Sequence, residues 1–202
     1  MPEREPITSG MATGLKDSDV DLLRLISRGD EAAFLKFYRR HQGLVYRFAL
    51  QMSGKAEIAE EVTQDVFMQV MASAQRYDAT RGSVTAYLYG VARNFVFRRM
   101  DQEWPYITAL DDPENEQADL AARDPDPLAD LTRNERLESL RRAVLSLPPA
   151  YREVVVLCDL HELDYAEAAL ALNCAVGTIR SRLHRARALL AEKMKAEERC
   201  AV

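Results

Sequence analysis

The spacing of the apolar residues is the feature that most limits what this chain can fold into. Through most of the 202 residues, apolar side chains recur every third or fourth position. That spacing matches the period of an α-helix that buries one face. The strict alternation that marks a half-buried strand is poorly represented throughout. The pattern therefore predicts an all-α fold.

Capping residues and helix breakers divide this pattern into separate helices. Asp17 or Ser18 can cap a first short helix that stops near Gly29, and Asp30 and Ser83 can cap two later ones. The first predicted helix runs from its cap to residue 27. The later predicted helices cover about 31–53, 57–74, 84–101, 131–145, 150–160, 164–172 and 177–195.

An acidic stretch splits the helical pattern in two. Residues 111–132 hold eight acidic side chains, one basic side chain and three prolines. Such a segment cannot bury a core, and its charges repel one another, so it predicts an extended, flexible linker. We expect a disordered terminus at 1–16, a helical domain at 17–105, an acidic linker at 106–130 and a second helical domain at 131–197.

Several classes of protein are disfavoured by composition. No apolar run reaches the roughly 18 residues that a membrane span needs, and the first residues lack a secretory signal, so we expect a cytoplasmic protein without membrane insertion. Cys158, Cys174 and Cys200 are an odd, scattered set without the spacing of a disulfide framework or a metal site. We expect no cofactor, and no role for the cysteines can be assigned.

The end of the chain has the spacing of a helix-turn-helix motif. Residues 164–172 predict a short helix, 173–177 a turn and 178–187 the start of a longer helix. Asn173 suits the turn position that needs a positive φ, and Thr178 can cap the second helix. At 100° per residue, the inward stripe of that helix consists of Ile179, Leu183, Ala186 and Leu190.

The opposite face of the second helix carries short polar and arginine side chains. Such groups can reach base edges in the major groove, while flanking arginines bind phosphate. A solvated cationic helix is the alternative, but the preceding helix and turn favour DNA. The candidate DNA-binding residues of the 167–186 motif and its immediate flank are Thr178, Arg180, Ser181, Arg182, His184, Arg185 and Arg187.

Residues 176–187 resemble the promoter-reading helix of bacterial sigma factors, specifically the extracytoplasmic-function group of the sigma-70 family. Residues 145–154 resemble the beginning of the same domain, known as domain 4. Three positions depart from the family pattern: Ala168 stands where a larger aliphatic residue is usual, and Asn173 and Ala175 replace the usual Gly and Pro. The resemblance implies that this domain reads the minus-thirty-five element.

Residues 61–70 resemble the polymerase-binding helix of the same family. Their spacing alone fits an ordinary amphipathic helix, with Ile58, Val62, Val66, Phe67 and Val70 on its apolar stripe. The resemblance implies instead that this helix docks on the coiled coil of the polymerase β′ subunit. It also implies that the protein contacts the β flap of the polymerase. The implied core-binding residues are Glu61, Gln64, Asp65, Phe67 and Met68.

Residues 76–83 and 86–94 resemble the family's segment that melts and reads the minus-ten element, within domain 2. Strand opening needs aromatic groups for unstacked bases and cations for phosphates. The candidate residues are Arg76, Tyr77, Arg81, Tyr87, Arg93, Asn94, Arg98 and Arg99, and Tyr87 stands where many relatives carry Trp. Leu88, Val91 and Phe95 are expected in the core.

Together these resemblances imply a specificity subunit of RNA polymerase that acts in a stress or environmental response, is held by an anti-sigma factor and has no active site. A conventional helix-turn-helix regulator is the alternative, although it leaves residues 64–65 and 76–94 unexplained. An enzyme is a third possibility. His161-Glu162 invites a metal-hydrolase interpretation, but position 165 is Tyr and no phosphate-binding glycine loop is present.

Overall fold

A computed structural model describes residues 17–101 and 133–200, with the side chains of 17–100 and 137–195. Within these ranges every regular element is helical, which confirms the predicted all-α fold. The expected disordered terminus at 1–16 and the acidic linker at 106–130 lie outside the described residues.

The first region contains four α-helices, and three of them begin at the predicted capping residues. Ser18 accepts a hydrogen bond from the Asp21 amide, Asp30 accepts one from Ala33, and Ser83 accepts one from Ala86. Gly54 ends the second helix in the left-handed conformation, at φ 73°. The helices are α1 (Asp19–Ile26), α2 (Glu31–Ser53), α3 (Ala56–Ser73) and α4 (Val84–Asp101).

The second region contains the helix-turn-helix motif. Its helices are α5 (Arg133–Leu145), α6 (Pro149–Val155, continued by a π-helical turn over Val156–Leu160), α7 (Tyr165–Leu172) and α8 (Val176–Cys200). Asn173 adopts the expected left-handed conformation between α7 and α8, at φ 51°.

The predicted cap of α8 is wrong. The helix begins at Val176, so Thr178 lies inside its first turn. The Thr178 amide donates to the Ala175 carbonyl at 2.9 Å, which shows that the chain is already turning into a helix there. Thr178 therefore remains a candidate for contact with DNA but does not cap the helix.

Each region has an apolar core built from the predicted stripes. Phe37, Phe48, Val66 and Leu88 are fully buried in the first region, as are Ile179 and Ala186 in the second. Burying one large apolar side chain contributes about 1.5–3 kcal/mol, so these stripes fix how the helices pack. Leu88 confirms its expected place in the core, while Val91 and Phe95 are only half-buried.

The two regions pack against each other, chiefly through α4 and α7, in what we call the closed arrangement. Gly90 of α4 lies so close to α7 that a Cβ atom there would be 3.2 Å from the Ala171 carbonyl oxygen. Gly82 lies similarly close to the Leu170 side chain. Small residues thus allow two helices far apart in the sequence to approach at backbone distance.

No helix in the described ranges is both long enough and apolar enough to cross a bilayer.

Candidate nucleic-acid and protein interfaces

An exposed apolar groove runs between α2 and α3. Its volume is about 1080 Å³, and its lining includes Leu35, Tyr38, Gln64, Met68 and Met71. The side chains of Leu35, Met68 and Met71 are 46%, 60% and 57% exposed. Large apolar groups clustered on a surface mark a site of protein association. We call this surface the α2–α3 groove.

The structure divides the predicted polymerase-binding residues between this groove and the core. Gln64 and Met68 are exposed in the groove. Phe67 is only 2% exposed and packs edge-to-face on Tyr38, with ring centroids 4.7 Å apart. Its assignment as a surface contact is therefore corrected: Phe67 forms the floor of the groove. Leu35 and Met71, which the sequence interpretation missed, supply the exposed apolar groups.

Two other predicted polymerase-binding residues pair with a predicted DNA-binding residue. The Arg99 guanidinium donates to the Asp65 carboxylate at 2.5 Å and also bonds to Glu61. The pair joins α3 to the end of α4. In this structure Arg99 therefore acts as a link between the two helices, and its charge is already engaged.

Most of the predicted minus-ten residues line one cleft. Its volume is about 1120 Å³, and its opposite wall is formed by α7 and the following turn, over residues 169–176. The predicted residues that line it are Arg76, Tyr77, Arg81, Tyr87, Arg93 and Asn94. Arg98 is exposed elsewhere on α4, with its guanidinium 4.8 Å from the centroid of the Phe95 ring.

Tyr77 and Tyr87 form an aromatic pair within this cleft. Their ring centroids lie 5.5 Å apart in an edge-to-face arrangement, and the Tyr77 hydroxyl donates to the Gly82 carbonyl at 2.9 Å. Burial, together with the carboxylates of Asp19 and Asp78, raises the pKa of Tyr77. The pair presents aromatic surface beside several cations, the combination that suits unstacked bases.

The exposed face of α8 carries the predicted minus-thirty-five residues. Ser181, His184 and Arg185 are exposed, as the helical wheel predicts. Arg180 lies 6.0 Å from the centroid of the Tyr165 ring, and Arg187 donates two hydrogen bonds to Asp159, at 3.1 and 2.6 Å. Arg185 forms no ion pair with any residue in the described part of the chain.

A buried carboxylate joins arginines from the two regions. Glu153 of α6 is 1% exposed; it accepts from Arg93 Nε at 2.7 Å and lies 3.5 Å from an Arg182 guanidinium nitrogen. Burial raises the pKa of Glu153, an effect that the neighbouring arginines oppose. Arg93 and Arg182 are predicted to bind different promoter elements, and only the folded structure brings them together. We call this cluster the Arg93–Glu153–Arg182 triad.

A second polar contact between the regions centres on His161. Its Nδ1 lies 2.6 Å from the Tyr89 hydroxyl, and its Nε2 lies 2.7 Å from Gln51 Oε1. Burial, and secondarily the Arg47 charge, lowers the pKa of His161 to about 4. His161 thus has a structural role at the interface. Across the described residues, no cluster of three or more His, Cys, Asp or Glu side chains is arranged to hold a metal.

The two cysteines with described side chains, Cys158 and Cys174, are half-buried. Burial raises the pKa of Cys158 to about 11 and also raises that of Cys174. Both side chains are therefore thiols at neutral pH, which makes them weak nucleophiles.

Two family models match this chain in the order that its architecture predicts. Residues 37–105 match sigma-70 region 2, and residues 137–190 match sigma-70 region 4. The first match contains the minus-ten candidates and the α2–α3 groove except Phe34 and Leu35, and the second contains the helix-turn-helix motif.

Sequence relatives show to which group of sigma-70 proteins the chain belongs. The chain is 32% identical over 177 residues to the ECF RNA polymerase sigma factor SigM of Mycobacterium tuberculosis, covering 86% of this chain and 83% of that one. It is 36% identical over 163 residues to the ECF sigma factor SigE of Mycolicibacterium smegmatis, covering 79% of this chain but only 62% of that longer relative. The chain therefore belongs to the extracytoplasmic-function group of sigma-70 family sigma factors.

Solved structures agree in fold. The sigma factor RpoE, in its co-crystal structure with the anti-sigma factor NepR from Bartonella quintana, matches at a TM-score of 0.60 and 26% identity, covering 80% of this chain and 96% of that one. CnrH in complex with the cytosolic domain of CnrY matches at a TM-score of 0.66 and 22% identity, covering 89% and 99%.

Proposed function

We propose that this chain binds core RNA polymerase and directs it to specific promoters, through residues 17–105 as domain 2 and 131–197 as domain 4. The observation that carries this proposal is the presence, on one chain, of an exposed apolar groove and two separate cationic surfaces of different character. A specificity subunit needs all three and needs no active site of its own. Its place of action is then the cytoplasm, beside the polymerase.

Core polymerase docks on the α2–α3 groove in this proposal. The apolar contacts come from Leu35, Met68 and Met71, whose exposure provides the surface that docking would bury. Gln64 lies in the same groove and adds polar specificity. Asp65 and Glu61 of α3 are the charged contacts that the family resemblance implies, and both are bonded to Arg99 in this structure. The partner is the β′ coiled coil, and domain 4 makes the contact to the β flap.

The cleft beside α4 captures the opened minus-ten strand. Tyr77 and Tyr87 offer aromatic faces for unstacked bases, and Asn94 offers both a donor and an acceptor to a base edge. Arg76 and Arg81 lie at the same cleft and can bind phosphate. Arg98 extends this cationic surface along α4. Stacking and cationic contacts together compensate for the lost base stacking of the duplex.

The exposed face of α8 reads the minus-thirty-five element in the major groove. Ser181, His184 and Arg185 are the base-reading candidates, since they project from the middle of the exposed face. Arg180 and Arg187 lie at the borders of this face and bind phosphate. Thr178, at the start of the helix, approaches the DNA backbone. Arg182 completes the set once it leaves Glu153.

A protein partner holds the factor inactive until a stress or environmental signal arrives. This part of the proposal rests on the likeness to RpoE, which was solved with an anti-sigma factor. The α2–α3 groove is the surface that such a partner would block, because blocking it prevents assembly with the polymerase.

Transcription from duplex and pre-melted templates tests the two DNA roles. The template is a promoter identified by sequencing the transcripts that core enzyme and this chain make from genomic DNA of the source organism. We expect Asn94→Ala to lose duplex transcription and to recover on a bubble template, because it serves strand capture. Arg185→Ala should not recover, because its contact lies outside the bubble.

A pair of variants at Tyr77 separates the role of the ring from that of its hydroxyl. Tyr77→Ala removes both the aromatic ring and the hydrogen bond to the Gly82 carbonyl. Tyr77→Phe is the control, because it loses the hydrogen bond and keeps the ring. Equal rescue of Arg185→Ala and Asn94→Ala, or rescue of neither, contradicts the proposed division. No transcription by wild-type chain with core enzyme contradicts the function itself.

A further inference from the structure

The closed arrangement holds one candidate DNA-binding arginine from each region on a single buried carboxylate. Arg93 of α4 faces the minus-ten cleft, and Arg182 belongs to the promoter-reading helix α8. Both contact Glu153, whose side chain is 1% exposed. A carboxylate and a phosphate compete for the same guanidinium donors, because both accept paired, charge-assisted hydrogen bonds.

Two further sets of polar contacts join the regions. The His161 ring is held between Tyr89 of α4 and Gln51 of α2, at 2.6 and 2.7 Å. Arg152, which is 4% exposed, donates to the Met52 carbonyl across the interface at 2.5 Å. His161 is half-buried and Arg152 is buried, so separating the regions breaks hydrogen bonds that the two regions make with each other.

The packing of α7 against α4 also limits access to the minus-ten cleft. Residues 169–176 form the wall opposite the predicted strand-binding side chains. Gly90 lies against the backbone of Ala171, which leaves no room for a nucleotide between α4 and α7 at that point. DNA that binds along this face of α4 must therefore first separate the regions.

We propose that Glu153 is an internal competitor for promoter phosphate: it holds Arg93 and Arg182 in the closed arrangement, and DNA gains Arg93 only when the regions separate. The competition keeps the free chain closed and weakens its binding to DNA. The DNA half of this inference rests on the proposed function of Arg93. The structural half, closure through the triad, does not.

Glu153→Gln tests the proposal because it removes the charge and keeps the shape. The control is Glu138→Gln, which removes one exposed carboxylate from α5, where Glu138 pairs with Arg141 three positions away. The probe is a fluorescent 12-nucleotide single-stranded DNA of randomised sequence, titrated by anisotropy at several salt concentrations. Small-angle X-ray scattering of each variant reports the separation of the regions, and thermal melting confirms folding.

We expect Glu153→Gln to increase the radius of gyration and to tighten DNA binding several-fold. Each arginine released to phosphate should also steepen the slope of log K against log salt by about 0.7, the value for single strands. Glu138→Gln should change neither the radius nor the slope. The added variant Glu153→Gln/Arg93→Ala should lose most of the gain in affinity.

A second variant opens the interface without altering charge. Gly90→Gln places a side chain against the Ala171 backbone and favours the α-helix of its own region. It should enlarge the radius and tighten DNA binding, with Glu153 intact but separated from Arg93.

Three results would overturn the proposal. They are an unchanged affinity in folded Glu153→Gln, an equal gain in Glu138→Gln, and retention of the full gain when Arg93→Ala is added. A larger radius in both opened variants without tighter DNA binding would overturn the competition with DNA and would leave only the closure through the triad. Failure of the sigma function is seen separately, in transcription by the wild-type chain with core enzyme.

Discussion

Asp65 and Gln64 are neighbours in the sequence, but their surroundings differ. Gln64 is exposed in the α2–α3 groove, whereas Asp65 is partly buried and bonded to Arg99. Replacing both residues together would therefore mix a surface effect with a structural one. The link to Arg99 makes Asp65 a residue that serves both the groove and the end of α4.

We expect Gln64→Ala to abolish co-purification with core polymerase while changing the free energy of unfolding by less than about 0.5 kcal/mol. Asp65→Ala should also abolish co-purification and cost up to about 1 kcal/mol, because Arg99 loses a partner in a partly exposed pair. Thermal melting and affinity pull-down measure the two effects. A double-mutant cycle with Arg99→Ala that shows no coupling would contradict the link between α3 and α4.

Arg185 and Arg187 differ in the same way on α8. Arg185 is exposed and outside any ion pair among the described residues, whereas Arg187 is engaged with Asp159. Arg185→Ala should cost about 1–3 kcal/mol of discrimination at one or two minus-thirty-five positions. Arg187→Ala should weaken all promoters evenly. Competition among single-base promoter variants, with assembled holoenzyme, measures both; an equal loss of discrimination in the two variants would contradict the assignment.

At the scale of elements, the turn between α7 and α8 sets how the reading helix is presented. Asn173 holds this turn in the left-handed region at φ 51°. Glycine adopts this region freely, and L-residues other than Asn and Asp adopt it at a cost. The family usually places Gly there, so the departure at this position keeps the backbone conformation.

Asn173→Ala should reduce the free energy of unfolding by about 1 kcal/mol and weaken minus-thirty-five binding, because Ala has no local compensation for a positive φ. Asn173→Gly is the matched control and should retain DNA binding with a nearly unchanged melting temperature. Chemical denaturation gives the stability difference. If Ala and Gly behave alike, the left-handed turn does not limit this element.

At the scale of the whole molecule, the closed arrangement should depend on pH through His161. The neutral ring can accept from Tyr89 through Nδ1 and donate to Gln51 through Nε2. Burial, and secondarily the charge of Arg47 on α2, disfavours protonation of the His161 ring. Glu167 of α7 raises the pKa of the neighbouring Tyr89. The pKa of His161 is about 4 when closed, against an ordinary value of 6.5.

Because the open form binds a proton more readily, closure is fully favoured above pH 6.5 and weakens as the pH falls from 6.5 towards 4. We expect the radius of gyration to increase over this range. His161→Gln should remove the dependence, and His184→Gln, which alters an exposed histidine, should retain it. A pH response that survives in His161→Gln would assign the titration to another group.

The sequence by itself determined the local structure of this protein. Helical spacing, the caps at Ser18, Asp30 and Ser83, and the left-handed turn at Asn173 depend on residues within about four positions of one another, so they can be read along the chain. The apolar stripe of α3 also contained the signal that Phe67 is a core residue. The family resemblance assigned Phe67 to the polymerase contact instead, and the structure shows that the apolar pattern was the better guide.

Only the tertiary structure decided which charged groups meet. Arg93 and Glu153 are 60 positions apart, and Arg99 and Asp65 are 34 apart. Such pairs depend on how the helices pack against each other. That packing requires small residues such as Gly90 at the contact and complementary shapes of the two buried surfaces. Sequence patterns identify Arg93 and Arg182 as cations suited to DNA, but the fold gives them a shared carboxylate. The physical reason is that charge is a property of one residue, whereas a partner for that charge is a property of the packed chain.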